Sequence, residues 1–230
     1  MNFKKLRQMI EIKGSGEIVS AAKSVSSFVR LHISVSGIVE LIQADEEKVV
    51  VEADENLQEY IEVVNSGHTL YVTSNGKWRV PGFNKLHVKI YYRQLYNIYN
   101  GCENGVLIND GILKATEPIE IKICSDKSST RLNVSAPAIK LITACVGDVE
   151  LRGECNQFNV SAKSEGNLYA RYMLAKNVIL KNYSQGDLEL HADETIAISN
   201  YGEGDINYWG PGLLKDIKQY GSGNVRHQNN

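Results

Sequence analysis

The stretch from residue 181 to residue 208 reads KNYSQGDLELHADETIAISNYGEGDINY and contains the same phrase twice. In each copy an amide and a tyrosine are followed, after two intervening residues, by Gly-Asp and an apolar-x-apolar pair. The phrase begins at Asn182 and again at Asn200, and a third version begins at Gln219. A phrase that returns every 18 or 19 residues predicts a protein built of stacked structural repeats.

The glycine followed by Asp or Asn extends this repeat towards the N-terminus. Successive glycines are separated by 19, 20, 18 and 19 residues. Gly and Asx adopt a positive φ more readily than other residues, so we predict a tight turn at each pair, with the glycine in that conformation. The pairs are Gly147-Asp148, Gly166-Asn167, Gly186-Asp187, Gly204-Asp205 and Gly223-Asn224.

Apolar residues alternate on both sides of each turn. Alternation with a period of two is typical of half-buried strands, so each repeat is predicted to hold two short strands. Because so short a unit cannot bury a core alone, each strand must pair with its equivalent one turn along. The predicted fold class is therefore all-β, a parallel β-helix or β-solenoid with turns of about 19 residues. The pairs midway between glycines are Ile139/Leu141, Phe158/Val160, Val178/Leu180 and Ile196/Ile198.

The N-terminal part of the chain shows strand patterns without the regular repeat. We interpret residues 14–88 as an N-terminal β-rich cap region that covers one end of the solenoid. Residues 89–227 are interpreted as the β-solenoid repeats, and the two parts as one continuous fold because no low-complexity linker separates them. The segment 55–64 predicts one short helical turn around Leu57.

Stacked turns place equivalent side chains above one another. Asn182, Asn200 and Gln219 are predicted to form an amide ladder, and the tyrosine after each of them an aromatic ladder. These tyrosines, with two aromatic residues nearby in sequence, could also stack on the sugar rings of a ligand. The alternative is a ladder that only stabilises the coil. The candidate ligand-stacking residues are Tyr183, Tyr201, Tyr220, Tyr208 and Trp209.

The sequence contains no recognisable catalytic motif. The five histidines form no H-E-x-x-H pair, and the chain has neither a G-x-S-x-G elbow nor a phosphate-binding loop. Asp148, Asp187 and Asp205 share one column, which would suit a polysaccharide-acting enzyme or a calcium site. Turn formation explains the same residues. We therefore predict no enzyme activity, no cofactor and no metal.

The composition is that of an ordinary folded chain. The 230 residues are 43% hydrophobic and 23% charged, with a net charge of −2, which argues against disorder and against a nucleic-acid partner. No apolar run is long enough to span a membrane, and residues 1–16 lack the apolar core of a secretory signal. Four cysteines are interpreted as small core residues, with one disulfide left open. They are Cys102, Cys124, Cys145 and Cys155.

Two further motifs point to a known family. Residues 51–61 read VEADENLQEYI, and Gly-Ser-Gly occurs at 14–16 and at 221–223. In both features the chain resembles the auto-transporter adhesin "head GIN" domain family, a bacterial family best represented in Bacteroidetes. The turns at Gly147, Gly166 and Gly186 depart from its pattern because they lack the first glycine. The resemblance implies a right-handed β-helix of two sheets, no known catalytic residues, and a role in adhesion in the cell envelope or outside the cell.

The motifs and the resemblance together predict a non-catalytic, adhesin-like binding module of the cell surface or envelope. Its expected partner is a glycan or a protein on a host or bacterial surface. Two alternatives stay open at this point. One is a β-helix enzyme that acts on polysaccharides, and the other is an envelope scaffold that assembles with itself as a homo-oligomer through the ends or edges of the solenoid.

Overall fold

Strands make up most of the chain. The computed structural model describes residues 10–75 and 79–229, so the interpretation of residues 1–16 lies in part outside the described residues. A 3-10 helix spans Glu55–Tyr60 with Leu57 buried, which confirms the short helical turn. The strands before residue 93 are β1 (Ile10–Lys13), β2 (Ile18–Ser24), β3 (Arg30–Ser34), β4 (Gly37–Gln43), β5 (Lys48–Asp54), β6 (Ile61–Ser66), β7 (Thr69–Ser74), β8 (Arg79–Gly82) and β9 (Leu86–Tyr92).

The rest of the chain forms the regular part of a β-solenoid, which has about seven turns at a spacing of about 20 residues. Its strands pair in parallel, each with its equivalent one turn along, as the repeat predicts. They are β10 (Asn97–Asn100), β11 (Gly105–Asp110), β12 (Leu113–Lys114), β13 (Ile119–Ile123), β14 (Ser129–Thr143), β15 (Val149–Ala162), β16 (Leu168–Tyr169), β17 (Met173–Asn182), β18 (Leu188–Asn200), β19 (Ile206–Trp209), β20 (Leu213–Gln219) and β21 (Val225–His227).

Several strands are longer than the sequence pattern suggested. β14, β15 and β18 contain 15, 14 and 13 residues. Each runs through both strand positions of its turn, so hydrogen bonding joins the two faces of the solenoid into one nineteen-stranded sheet among the described residues. Two short strands per turn were expected because the alternation of apolar residues breaks between them. In these three strands the backbone stays extended through the break, although the pairing of β17 with β18 shifts register there, between Ala175 and Asn177. Other turns keep two separate strands as predicted, such as β16 with β17 and β19 with β20.

The core is a set of columns of aliphatic side chains. Parallel pairing in register places one apolar residue of each turn directly over the next, and the alternating partners point outward. Burial of each such side chain contributes about 1.5–3 kcal/mol. The column at most 3% exposed is Ile121, Leu141, Val160, Leu180 and Ile198.

The N-terminal region combines two kinds of pairing. β3 and β4 stack in parallel on β10 and β11, so the solenoid pairing runs without interruption across residue 89. β5 pairs antiparallel with both β2 and β9, and β6 pairs antiparallel with β7. Antiparallel neighbours of this kind do not continue the coil, and they make up the region that we interpret as the β-rich cap.

Residues of the 51–61 signature hydrogen-bond to residues 13–16, near the start of the described chain. Asp54 is buried, and its carboxylate accepts hydrogen bonds from the backbone N–H of Gly16 at 2.8 Å and from Asn84. The Asn84 side-chain amide and then the backbone N–H groups lower the pKa of Asp54 to about 2. The Asn56 side chain binds the same segment, since it donates a hydrogen bond to the Lys13 carbonyl and accepts one from the Ser15 N–H. The signature therefore has a structural role.

All four cysteines lie in the described part of the chain, and none forms a disulfide. Cys102, Cys145 and Cys155 are buried, and burial raises the pKa of the Cys102 thiol to about 11 and that of Cys155 to about 12. Thiols with such pKa values are protonated and unreactive at neutral pH. These residues behave as small apolar core residues.

Candidate functional site

The turn glycines are required for a different reason from the one predicted. A positive φ occurs at Gly16, Gly67, Gly105, Gly111, Gly153 and Gly210, and at none of the five glycines that precede Asp or Asn. The prediction of a positive φ at those five was wrong. Instead, each turn lies so close to the previous one that no Cβ fits. A Cβ on Gly186 would lie 2.2 Å from the carbonyl oxygen of Gly166, and one on Gly223 would lie 2.1 Å from that of Gly204.

The Asp and Asn residues after these glycines form a continuous hydrogen-bonded ladder. The side-chain oxygen of each of the first four accepts the backbone N–H of its equivalent one turn along, and the distances are 2.8–2.9 Å. Asp205 also forms an ion pair with Arg226, and the Asn224 and Arg226 hydrogen bonds lower the pKa of Asp205. The order of the ladder is Asp148, Asn167, Asp187, Asp205 and Asn224.

This ladder bears on the calcium and enzyme alternatives. One carboxylate oxygen of each aspartate is already bound to backbone, so these residues serve the turn. Within residues 10–75 and 79–229, no three His, Cys, Asp or Glu side chains lie close enough together to hold a metal ion. The column supports the turn-forming explanation of Asp148, Asp187 and Asp205.

The amide ladder lies inside the coil beside these turns. Asn182 and Asn200 are fully buried, and the Asn182 amide nitrogen donates to the Asn200 side-chain oxygen at 2.9 Å. Asn200 in turn reaches Gln219 at 3.4 Å and the Gly223 carbonyl at 3.0 Å. Each asparagine oxygen also accepts a backbone N–H two residues ahead, at Ser184 and Gly202. The side-chain nitrogen and oxygen of both asparagines are therefore hydrogen-bonded in the buried interior.

The aromatic ladder lies on the outer surface. The ring centroids of Tyr183 and Tyr201 are 4.9 Å apart with an interplanar angle of 7°, and those of Tyr201 and Tyr220 are 4.9 Å apart at 9°. The three side chains are 47%, 44% and 69% exposed. Lys163 extends the column, because its ammonium nitrogen lies 5.6 Å from the Tyr183 ring centroid. The three rings are therefore evenly spaced and accessible to solvent.

The structure separates Tyr208 and Trp209 from this ladder. Both belong to β19, on the other strand position of the turn. Tyr208 is buried and stacks on His227 at 4.7 Å, and Trp209 is covered by the Arg171 guanidinium at 4.4 Å. Nearness in sequence suggested a common cluster, but the corner of the coil directs the two sets of rings to different faces. Neither residue forms part of the exposed stack.

A second aromatic stack was not predicted. His32 lies between Tyr99, at 4.4 Å and 16°, and Tyr71, at 5.2 Å and 35°. Burial lowers the pKa of His32, so its ring is neutral at neutral pH. Strand pairing puts Tyr99 in register with Lys122 and, further along the coil, with Lys181. Lys181 lies two residues before Tyr183, so the two aromatic stacks are on the same face. Only the three-dimensional pairing of β3, β7 and β10 reveals it, since the three residues follow no common sequence phrase.

A shallow groove lies between the two stacks. It has a volume of about 460 Å³ and runs over three neighbouring strands, β14, β15 and β17. Ile142 and Ile179 form its apolar floor, Asn159 and Ser161 supply polar groups, and lysines stand at its rim. We call the outward surface that carries the groove and both stacks the tyrosine face. Its side chains come from the strand positions that precede the glycine turns.

The coil, its buried ladders and this exposed face define a β-solenoid with an outward aromatic surface. The chain belongs to the family described as "Putative auto-transporter adhesin, head GIN domain", which matches residues 27–212. No curated protein matches the chain. The described stretches contain no helix long and apolar enough to cross a membrane.

Solved structures share the fold. A protein described as a "putative adhesin" from Bacteroides fragilis superposes with a TM-score of 0.84 at 21% identity, covering 94% of this chain and 100% of its own. A "putative lipid binding protein" from Parabacteroides distasonis has a TM-score of 0.74 at 18% identity, covering 95% and 100%. A "putative adhesin" from Parabacteroides distasonis has a TM-score of 0.69 at 20% identity, covering 95% and 100%. These likenesses concern the fold.

Proposed function

We propose that this protein is a non-catalytic, adhesin-like binding module of the cell surface or envelope, and that the tyrosine face contacts its partner. The observation that carries the proposal is the exposed stack of Tyr183, Tyr201 and Tyr220. Exposed aromatic side chains that neighbouring rings hold in place can bind a ligand with little further loss of conformational freedom. The partner is a glycan or protein on a host or bacterial surface.

The geometry limits how a sugar could bind to the ladder. Both faces of the Tyr201 ring are covered by its neighbours, so it can offer only its edge and its hydroxyl group. Among the described residues, Tyr220 has a stacking partner on one side only and is 69% exposed. Stacking on a sugar ring is therefore proposed for Tyr220, and the tyrosine hydroxyls form a row of hydrogen-bonding groups along the solenoid axis.

The non-catalytic part of the proposal is supported by the engaged turn aspartates. Glycosidic hydrolysis needs two carboxyl groups that face a common space, whereas the ladder holds its aspartates in line along one corner. The family name supports a location at the cell surface or envelope. Protease treatment of intact cells is expected to remove the protein while a cytoplasmic marker survives. Protection until lysis would contradict this location.

The binding surface can be tested with two matched tyrosine pairs. Fluorescently labelled protein is added to bacterial and to epithelial cells, and bound fluorescence is measured. The variant Tyr201→Ala/Tyr220→Ala is expected to lose most of the binding. The control Tyr169→Ala/Tyr172→Ala removes two exposed tyrosines, 40% and 60% exposed, from β16 and the turn after it, and is expected to bind normally. Equal losses in both variants would show that the tyrosine face is not the binding surface.

We also propose self-association through the last turn as a second candidate function. Ile217 is in register with the buried Ile198, yet it is 45% exposed because β20 pairs only with β18 among the described residues. An open strand edge with exposed apolar side chains favours pairing with another strand. Light scattering is expected to show a concentration-dependent increase in mass that Ile217→Lys abolishes. A strict monomer would remove this candidate.

A further inference from the structure

Four lysines stand along the tyrosine face. Lys122 lies in β13, Lys140 in β14, Lys163 directly after β15 and Lys181 in β17. Four successive turns thus carry one lysine each, all directed outward beside the groove or the tyrosine stack. The strands are about 4.8 Å apart, so the row from Lys122 to Lys181 is about 15 Å long.

Most of these charges have no acidic partner. Lys140 forms an ion pair with Glu120 at 2.7 Å. Within the described residues, no carboxylate lies within 4 Å of Lys122, Lys163 or Lys181, and two of these lysines instead lie 5.6 Å from tyrosine ring centroids. The protein as a whole carries a net charge of −2. The positive row is therefore a local feature of this face, and it is not a consequence of a basic composition.

One acidic group of these turns, Glu120, lies on the face itself and is paired with Lys140, whereas the turn aspartates lie at the next corner. Asp148, Asp187 and Asp205 occupy the corner that follows each glycine. This corner borders the tyrosine face and places a negative column beside the positive strip, in which Lys140 and Lys163 lie two residues to either side of the column that Lys122 and Lys181 share. A long, thin, negatively charged ligand that lies along the strip gains attraction from the lysines, whereas a broad one also meets the aspartates.

We infer that the tyrosine face binds an acidic polysaccharide that lies along the solenoid axis, an inference that rests on the proposed function and names its ligand class. The acid groups of the polymer pair with Lys122, Lys163 and Lys181. Its hydroxyl groups bond to Asn159, Ser161 and the tyrosine hydroxyls, and the apolar faces of its rings cover Ile142 and Ile179. From Lys122 to Tyr220 the face covers five strand steps, or about 24 Å.

A nucleic acid fits this surface less well. Single-stranded nucleic acid binds where aromatic rings have open faces on which bases can stack, and the rings of Tyr183 and Tyr201 are covered by their neighbours. The cations beside the groove are lysines, which lack the planar fork that arginine offers to phosphate. Sugar hydroxyls and carboxylates match the available amide, hydroxyl and ammonium groups.

The test uses polymers that differ only in charge. The full chain is immobilised, and binding of polygalacturonate is compared with that of its methyl ester, which has the same backbone without the charge. Single-stranded oligo-dT is the third ligand. Polygalacturonate is expected to bind more tightly than both other ligands. Its affinity should fall as the salt concentration is raised from about 50 mM to about 300 mM, because salt screens the charges.

Lysine variants locate the site. Lys163→Gln/Lys181→Gln is expected to weaken polygalacturonate binding about fivefold or more. Lys114→Gln/Lys176→Gln removes two exposed lysines that lie outside the tyrosine face, one in β12 and one near the start of β17, and is expected to leave binding unchanged. Melting curves of both variants verify that they fold.

Three outcomes would overturn the inference. They are equal binding of the acid and its ester, equal effects of the two lysine pairs, and binding of oligo-dT as tight as that of polygalacturonate. If labelled protein binds cells through its tyrosines but binds no acidic polymer, the inference fails and the proposed function stands. If it binds neither cells nor polymer, both fail.

Discussion

The turns after residue 129 and the N-terminal region before residue 93 bury the same kinds of aliphatic side chains but satisfy their polar groups differently. In the later turns, equivalent residues stack: Asn182 on Asn200, and Asp187 on Asp205. In the N-terminal region, the stabilising polar contacts are individual ones that are not repeated from turn to turn. The carboxylate of Asp54, which receives Gly16 and Asn84, is the clearest example.

This difference shows two ways to stabilise one continuous coil. A ladder distributes its hydrogen bonds over many equivalent positions, so its requirement is uniform spacing between turns. A single buried clamp requires one particular residue at one position. The family signature belongs to the second kind. The repeated phrase belongs to the first, and for that reason it tolerates the exchange of Asp and Asn.

The largest effect is expected from a change that breaks the uniform spacing. A Cβ at residue 186 would lie 2.2 Å from a backbone oxygen of the preceding turn, and a main-chain atom cannot move aside without separating the strands. Gly186→Val is expected to reduce the free energy of unfolding by about 3 kcal/mol, measured by urea denaturation.

A substitution at a second glycine tests whether close contact between turns or a positive φ is the stronger reason for glycine in this fold. Gly111 has a φ of +65° and open space around its would-be Cβ. Gly111→Ala is therefore expected to cost only about 1 kcal/mol. If Gly111→Ala were the more destabilising change, contact between turns would not be the dominant requirement.

A smaller loss is expected from the amide ladder. Asn200→Ala removes a buried side chain whose nitrogen and oxygen both bond to neighbouring turns, which leaves the Gly202 N–H and the Asn182 amide without partners. The expected cost is about 2 kcal/mol. Tyr201→Ala, at the next residue on the exposed ladder, is the control and is expected to cost less than about 1 kcal/mol. Equal costs would mean that the buried ladder is no more important than the exposed one.

The smallest expected effect depends on pH and tests the N-terminal clamp. The folded-state pKa of Asp54 is about 2, below the ordinary value of 3.8, so its contribution is fully present above about pH 4 and is lost as the pH falls towards 2. The urea midpoint of Asp54→Asn is expected to lie below that of the wild type at pH 6, and this gap should narrow at pH 2.5. The half-buried ladder aspartate Asp205 offers a comparison, since Asp205→Asn should give a smaller gap. A gap for Asp54→Asn that stays constant with pH would contradict the ionised clamp.

Much of the architecture could be predicted because it depends on periodicity. The glycine spacing predicted the stacked coil, and the two ladders followed from aligning Asn182 with Asn200 and Tyr183 with Tyr201. The roles of single contacts could not be predicted in this way. Residues 51–61 were recognisable as a family signature, but nothing in their spacing indicated that Asp54 would be buried against Asn84.

The sequence by itself determined that this protein is a solenoid with residues in columns, because a repeat encodes its own neighbours one turn away. Only the tertiary structure decided which columns face outward and how close the turns lie. It directed Tyr208 and Trp209 away from the tyrosine stack, replaced positive φ by close approach as the reason for the glycines, and brought His32 between Tyr71 and Tyr99. The physical reason is that the direction of a side chain at a corner, and the distance between stacked backbones, depend on the whole coil and not on the local phrase.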